Sequence, residues 1–278
     1  MTAVLLALLT AACYGVANYV GPLLARTNPL AGVLVVGQVV GVLGALVLFA
    51  VDGFGHPGRS GILLGVAAGL FNGVAIAAFF RAASVGSISI VAPIGSTGAI
   101  VPVVVGIATG DRPSMLQLVG IPLAVLGAAL AAARPAQRGD EVTVTGAGLA
   151  LVSAVLFGGF LTVFAAASEH GTTAAVLTSR IALLTATVLV VAVVRLPWRL
   201  PLPGARAAVV PGLLLVIGTI AYGVATTQGL LSVVSVLATL APVVTVALAV
   251  LLLGERLTGR QRVGVAVALS GVVLLAAG

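Results

Sequence analysis

Two stretches of the chain repeat each other: residues 110–127 read GDRPSMLQLVGIPLAVLG, and residues 254–271 read GERLTGRQRVGVAVALSG. A shift of 144 residues makes seven of these eighteen positions identical without a gap. Because the shift is about half of the 278-residue chain, it indicates an internal duplication. The identical pairs are Gly110/Gly254, Arg112/Arg256, Gln117/Gln261, Val119/Val263, Gly120/Gly264, Ala124/Ala268 and Gly127/Gly271.

The composition around this repeat is that of a membrane protein. Hydrophobic residues make up 61% of the chain and charged residues 7%, whereas soluble domains carry roughly 25% charged residues. The apolar runs are about twice as long as barrel strands and do not alternate, so they predict transmembrane helices. We expect an all-α integral membrane protein with ten transmembrane helices. The predicted spans are 3–24, 29–51, 61–80, 87–109, 115–133, 146–167, 173–194, 209–231, 233–253 and 262–277.

Five spans in each copy place the two copies in opposite orientations in the membrane. The sequence therefore predicts two inverted five-helix repeats, residues 1–139 and 140–278, around a central cavity. Inverted repeats are a common architecture for moving a solute through a bilayer by alternating access. The lone Cys13 excludes an intramolecular disulfide.

Several function classes are disfavoured by the same sequence. All 13 basic residues are arginines that lie mostly between apolar spans, so the net charge of +7 indicates membrane anchoring and not nucleic-acid binding. We find no paired mid-span carboxylates, no HExxH, no GxSxG and no His/Cys cluster, so we expect no enzyme, no cofactor and no metal. A receptor or scaffold is disfavoured because the loops are short. The expected partners are a small-molecule substrate and the lipid bilayer, with the protein a monomer or weak dimer.

The charges within the spans point to one candidate site residue. All six acidic residues fall at span ends or in loops, so no mid-span carboxylate is present as a proton carrier. Arg180 lies about eight residues into the seventh span, roughly 10 Å along the helix. Its side chain either snorkels to the interface or faces a wet cavity, where it would attract a carboxylate or phosphate. Gln38 occupies the approximate counterpart position, 142 residues earlier.

Uncharged polar residues indicate the lining of the predicted cavity. Tyr14 and Asn18 share a face of the first span, and Tyr222 and Thr226 share a face of the eighth. Interhelical hydrogen bonding is the alternative role for each of them. Pro93 and Pro242 are expected to kink the fourth and ninth spans and to free carbonyls that face the cavity. The candidate substrate-binding residues are Arg180, Gln38, Tyr14, Asn18, Asn72, Tyr222, Thr226 and Thr97.

Two further motifs have structural roles. The third span carries a glycine ridge, which predicts either close helix packing or a sliding surface. Its members are Gly61, Gly65, Gly69 and Gly73. In the repeated corner, Asp111 and Glu255 are expected to complement the dipoles of the helices that follow them, and Ser114 and Thr258 to cap those helices.

These motifs together resemble the EamA family of the drug/metabolite transporter superfamily. The resemblance rests on the G-[DE]-R corner and its following Gln and Gly positions in both halves, and on Ala92-Pro93 and Ala241-Pro242. Ser84-x-x-Ser87 and Ser232-x-x-Ser235 also correspond, at a shift of 148 that implies four extra residues in the fourth span of the first half. The resemblance implies ten helices as two inverted repeats and an exporter or facilitator of amino acids, other small metabolites or drugs. A lipid or lipid-linked headgroup is the alternative cargo.

The loop charges predict an orientation in the membrane. Odd-numbered loops hold ten arginines and even-numbered loops hold Arg59 and Arg112. By the positive-inside rule the odd loops are cytoplasmic and both termini lie outside, whereas the resemblance implies termini inside. The richness in Ala, Gly and Val is typical of a GC-rich bacterial genome, so we expect a multi-pass protein of a bacterial inner or plasma membrane.

Overall fold

The computed structural model describes residues 1–53, 55–133, 143–254 and 256–278, with the backbone alone for Ile88 and Ser89. These residues contain twelve α-helices and no strand, and they form ten segments long and apolar enough to cross a membrane. This confirms the predicted all-α class with ten membrane-spanning helices. The predicted repeat boundary at 139/140 and Glu255 lie outside the described residues. The helices are α1 Thr2–Ala25, α2 Leu30–Val51, α3 Gly58–Val85, α4 Ile88–Gly95, α5 Ile100–Thr109, α6 Met115–Ala132, α7 Val144–Ser168, α8 Thr172–Val194, α9 Leu202–Thr226, α10 Leu231–Ala238, α11 Ala241–Leu253 and α12 Gly259–Ala277.

The eighth span differs most from its predicted bounds of 209–231. Helix α9 begins at Leu202 and ends at Thr226. Pro203 falls in the first turn, where the missing N–H has no intrahelical partner to lose. Arg206 is exposed near the same end, so neither residue stops the helix.

The fourth span of each half is interrupted near its proline, where the sequence predicts only a kink. A 3-10 turn at Ser96–Ala99 separates α4 from α5, and Thr239 and Leu240 separate α10 from α11. Pro93 lies within α4, three residues before its break, and Pro242 lies in the first turn of α11. Broken helices expose backbone carbonyls and amides near the middle of a membrane protein, where solute sites form in many transporters.

The serine correspondence proposed at a shift of 148 is wrong. Helix α4 begins at Ile88 and α10 at Leu231, which is a shift of 143, and the two interruptions begin at Ser96 and Thr239, again 143 apart. The first half therefore has no four-residue insertion in this span. Two serines in a similar local spacing misled the alignment, because the helices that hold them begin 143 and not 148 residues apart.

Interhelical hydrogen bonds repeat at the same shift. Thr10 of α1 donates to the carbonyl of Gly218 of α9 at 3.1 Å, and Ser153 of α7 donates to the carbonyl of Ala75 of α3 at 2.8 Å. Both donors and both acceptors are 143 residues apart. Helix α1 thus packs on α9 in the way that α7 packs on α3, so each half contributes its first helix to the third helix of the other half.

Helices α6 and α12 pack tightly and run antiparallel. A Cβ built on Gly127 would lie 2.6 Å from Ala268 Cα, and one built on Gly271 would lie 2.9 Å from Ala124 Cα. Later residues of α6 therefore contact earlier residues of α12, which makes the two helices antiparallel. Glycine is needed at these positions of α6 and α12 because a side chain there would collide with the backbone of the other helix.

The repeated corner has the same local geometry in both halves. Gly110 (φ 119°) and Gly254 (φ 65°) end α5 and α11 in the left-handed region that favours glycine. The next helices begin with capping boxes, Ser114 with its partner Gln117 and Thr258 with Gln261. The predicted caps are confirmed.

Asp111 serves a different helix from the one predicted. Its Oδ2 accepts a hydrogen bond of 2.7 Å from the backbone N–H of Ser232, in the first turn of α10. The carboxylate therefore complements the N-terminus of α10 and not that of α6. The close turn at Gly110 directs it across to the other half of the chain.

The glycine ridge of α3 is a packing surface for α8, as predicted. A Cβ on Gly65 would overlap Thr178, a Cβ on Gly69 would overlap the carbonyl oxygen of Ser179, and one on Gly73 would lie 3.1 Å from Ala186 Cβ. The ridge brings α8, which carries Arg180, against α3.

Candidate substrate site

Helices α2 and α8 meet through the two counterpart residues Gln38 and Arg180. Each is the ninth residue of its helix, about 12 Å from the helix start. Arg180 Nη1 lies 3.5 Å from Gln38 Oε1, and a Cβ on Gly41 would lie 3.6 Å from Arg180 Cδ. The second helix of each half therefore crosses that of the other half at corresponding residues.

The Arg180 guanidinium is buried in this crossing, with 4% of the residue exposed. Its Nη2 donates to the carbonyl of Leu215 at 2.5 Å and to Thr219 Oγ1, both on α9. The side chain therefore points into the bundle, which argues against snorkelling to the interface. Among the described residues it forms no ion pair with a carboxylate.

Tyr14 of α1 completes a polar cluster with Arg180, Gln38 and Thr219. The Tyr14 hydroxyl lies 3.0 Å from Thr219 Oγ1. Since the Thr219 hydroxyl donates to the Leu215 carbonyl at 2.7 Å, Tyr14 is the donor in their contact. The cluster thus joins α1, α2, α8 and α9 through one cation, one amide and two hydroxyls.

A narrow space beside the guanidinium is lined by Asn72 of α3 and Phe160 of α7 together with Arg180 and Thr219. Its volume is about 170 Å³, and it is too narrow to admit a water-sized sphere. The open cavity expected at this level is therefore absent from this conformation at the cluster. The cause is local: the guanidinium hydrogen-bonds to α2 and α9 and holds them close.

Four of the eight candidate residues neither join the cluster nor border the narrow space beside it. Tyr222 is fully buried, but its hydroxyl donates to the Leu161 carbonyl at 3.1 Å and contacts Ser235 Oγ at 2.8 Å, so it bonds helices together. Thr226 and Thr97 each donate to a carbonyl of their own helical segment. Asn18, one turn beyond Tyr14, is exposed.

Sequence reasoning missed Thr219 and the Leu215 carbonyl. Thr219 lies three residues before Tyr222 on α9, so the same helical spacing that selected Tyr222 also includes it. The Leu215 carbonyl carries no signal in the sequence, because a backbone acceptor is common to every residue type.

The two ends of α2 and α8 differ. Where α2 ends and α8 begins, the Thr173 hydroxyl donates to Asp52 Oδ2 at 2.6 Å. Where α2 begins and α8 ends, a groove of about 540 Å³ lies between the helices. The groove is lined by Val35, Val188, Val191, Ala192, Arg195, Leu196 and Trp198. A hydrogen bond therefore joins the two helices at one end, and the groove separates them at the other. At that end the segment after α8 packs on α2, since a Cβ on Gly32 would overlap the carbonyl oxygen of Trp198.

Comparisons with known proteins agree with this architecture. A solved crystal structure matches with a TM-score of 0.78 at 16% sequence identity, covering 98% of this chain and 95% of the other. That identity supports the fold alone. No curated protein matches the chain. The model of the EamA-like transporter family matches residues 144–277. Over these residues the chain is similar to the EamA-like transporter family, as its sequence motifs indicate, and it is a multi-pass membrane protein with a membrane-transporter fold.

Proposed function

We propose that the protein is an exporter or facilitator of small polar metabolites, amino acids or drugs, and that it works by alternating access between two inverted repeats. The residues of the first repeat are 1–139 and those of the second 140–278. The antiparallel packing of α6 on α12 supports the inversion, since these helices hold the same place in each half. The exchanged contacts of α1 with α9 and of α7 with α3 support a two-fold relation.

The observation that carries the proposal is the contact between Gln38 and Arg180. A site on the axis between two inverted repeats is equally accessible from either face when the repeats rock. Arg180, Gln38, Tyr14 and Asn72 are the substrate-binding residues in this proposal, and Thr219 joins them. Asn18 lies one turn from Tyr14, where an opened passage would reach it.

The contacts at the two ends of α2 and α8 define the conformation from which the rocking motion would begin. The conformation is closed at Asp52 and Thr173, separated at the groove, and tightly packed at Arg180. Rocking the halves would separate Asp52 from Thr173 while closing the groove. The polar cluster between them would then face the other side of the bacterial inner membrane.

Reconstitution in proteoliposomes tests this function. The vesicles are loaded with a mixture of labelled metabolites, and protein-dependent release is measured. We expect release from the wild type, its loss in Arg180→Gln, and its retention in Thr185→Val, whose hydroxyl bonds only to the Ile181 carbonyl of its own helix. Equal release from wild type and Arg180→Gln would remove Arg180 from the site.

The groove supports lipid movement as a second candidate function. Its walls are mostly small and medium apolar side chains, with Arg195 and Trp198 at one end, and such a surface suits an acyl chain with an anionic headgroup. Vesicles containing a fluorescent anionic phospholipid separate the two functions. Protein-dependent exposure of the labelled lipid without release of water-soluble solutes would favour lipid as the cargo.

A further inference from the structure

The Arg180 cation lies inside the membrane-spanning bundle without a counter-ion among the described residues. Its partners are a carbonyl, a hydroxyl and an amide oxygen, all neutral. The described acidic residues Asp52, Asp111 and Glu169 all lie at helix ends. A buried charge without an opposite charge is costly, so a ligand that supplies one negative charge gains most from this site.

The guanidinium still has an N–H donor to offer such a ligand. It carries five N–H donors in a planar fork, and its described hydrogen bonds run through Nη1 and Nη2. None of the described contacts engages Nε. The side chain also borders the narrow space shared with Asn72 and Phe160. A carboxylate can accept a charge-assisted hydrogen bond from this Nε–H group.

We propose that the transported solute is a monovalent carboxylate and that its transport moves net charge. This inference rests on the proposed transport function and narrows it to one substrate class. One guanidinium balances one negative charge. A dianionic phosphate ester would bring a second charge with no cation to balance it, and a zwitterion would bring an ammonium group to a cluster without a carboxylate.

The electrical consequence follows from the placement of the acidic residues. A transporter that couples to protons usually carries them on a carboxylate within the membrane, and the three described carboxylates lie outside that region. The anion therefore crosses with its charge uncompensated. At a membrane potential of about 100 mV, a monovalent anion at equilibrium reaches a concentration ratio of roughly 50-fold across the membrane.

The loops supply an electrostatic approach for an anion. Ten of the 13 arginines follow odd-numbered spans, and Arg195 among them borders the groove between α2 and α8. A face of one sign raises the local concentration of oppositely charged solutes. The separated face of this conformation is therefore also the face that attracts anions.

The test uses purified full-length protein in proteoliposomes with a potassium gradient and valinomycin. The vesicles contain lactate, alanine, glycerol 3-phosphate and glycerol, which match in carbon number but differ in charge. Phenyllactate and phenylalanine extend the comparison to larger solutes. Release of each solute is measured at zero potential and at inside-negative and inside-positive potentials, against protein-free vesicles.

We expect protein-dependent release of lactate or phenyllactate only, faster at an inside-negative potential and slower at an inside-positive one. Arg180→Gln should lower this release roughly 30-fold or more, as loss of a buried charged partner does. Arg180→Lys should keep the selectivity for monoanions, and Thr185→Val should match the wild type.

Two results would overturn the inference. Protein-dependent release of alanine, glycerol or the phosphate ester in place of the monocarboxylates would refute the substrate class and leave the transport function standing. Monocarboxylate release that ignores the potential would refute uncompensated charge movement. A protein that releases none of the solutes would count against the proposed function itself.

Discussion

Replacing Gly69 by alanine tests whether the glycine ridge sets the distance between α3 and α8. A Cβ at this position would overlap the carbonyl oxygen of Ser179 and lie 2.7 Å from Ala182 Cβ. A backbone carbonyl cannot rotate away as a flexible side chain can, so the two helices must separate.

The change in the free energy of unfolding follows from two opposing effects. Overpacking a well-filled interior costs about 1–3 kcal/mol. Replacing glycine by alanine also lowers the entropy of the unfolded chain, which stabilises the protein by about 0.4–1 kcal/mol. We expect Gly69→Ala to lower the free energy of unfolding by about 1–2 kcal/mol. Gly73→Ala should cost less, because the nearest atom would be the methyl carbon of Ala186 at 3.1 Å.

The assay is unfolding in mixed micelles by titration with SDS, followed by the fluorescence of the single Trp198. Gly148→Ala is the matched control, since a Cβ there would meet nothing within 4 Å, and it should be neutral or slightly stabilising. The reasoning fails if Gly73→Ala or Gly148→Ala destabilises the protein as much as Gly69→Ala does.

The remaining predictions concern hydroxyl groups and helix caps. Among the described residues, the buried Ser232 hydroxyl has no hydrogen-bond partner whereas that of Ser235 has one, so we expect Ser235→Ala to lower the free energy of unfolding by about 1 kcal/mol and Ser232→Ala to leave it unchanged or raise it. Equal losses in the same SDS titration would contradict this. Ser114→Ala and Thr258→Ala should each cost about 1 kcal/mol, because both residues close capping boxes. A large effect of one and none of the other would show that the two corners are not equivalent.

The sequence predicts the spans and the packing motifs well because these depend on periodicity and on residue size. The glycine ridge faces α8 since glycines four residues apart must lie on one side of a helix. Gln38 is identified from the duplication as the approximate counterpart of Arg180, and both are the ninth residue of their helices. Neither of these two conclusions depends on knowing how a helix is rotated about its own axis.

The polar cluster is harder to predict because it depends on how α9 is rotated. Tyr222 and Thr219 share a face of α9, yet only Thr219 reaches Arg180, while Tyr222 bonds to α7 and α10. Thr226 and Thr97 bond within their own segments, and sequence spacing does not separate this outcome from cavity lining. The width of the space at Arg180 also cannot be predicted from the residue types, because it depends on the conformation of the protein.

Alternating access is tested most directly by measuring both faces of the molecule in one experiment. The native Cys13 is replaced by alanine, and spin labels are attached as two separate pairs: Val51 with Thr172 near the joined ends of α2 and α8, and Leu30 with Val194 near the groove. Distances are measured by pulsed electron paramagnetic resonance in lipid nanodiscs, with and without Thr173→Val.

Removing the Thr173 hydroxyl deletes its hydrogen bond to Asp52, which we expect to shift the population about fivefold for a bond worth about 1 kcal/mol. The Val51–Thr172 distance should then lengthen in the same sample in which the Leu30–Val194 distance shortens. Unchanged distances, or both pairs lengthening together, would contradict a rocking motion about Arg180.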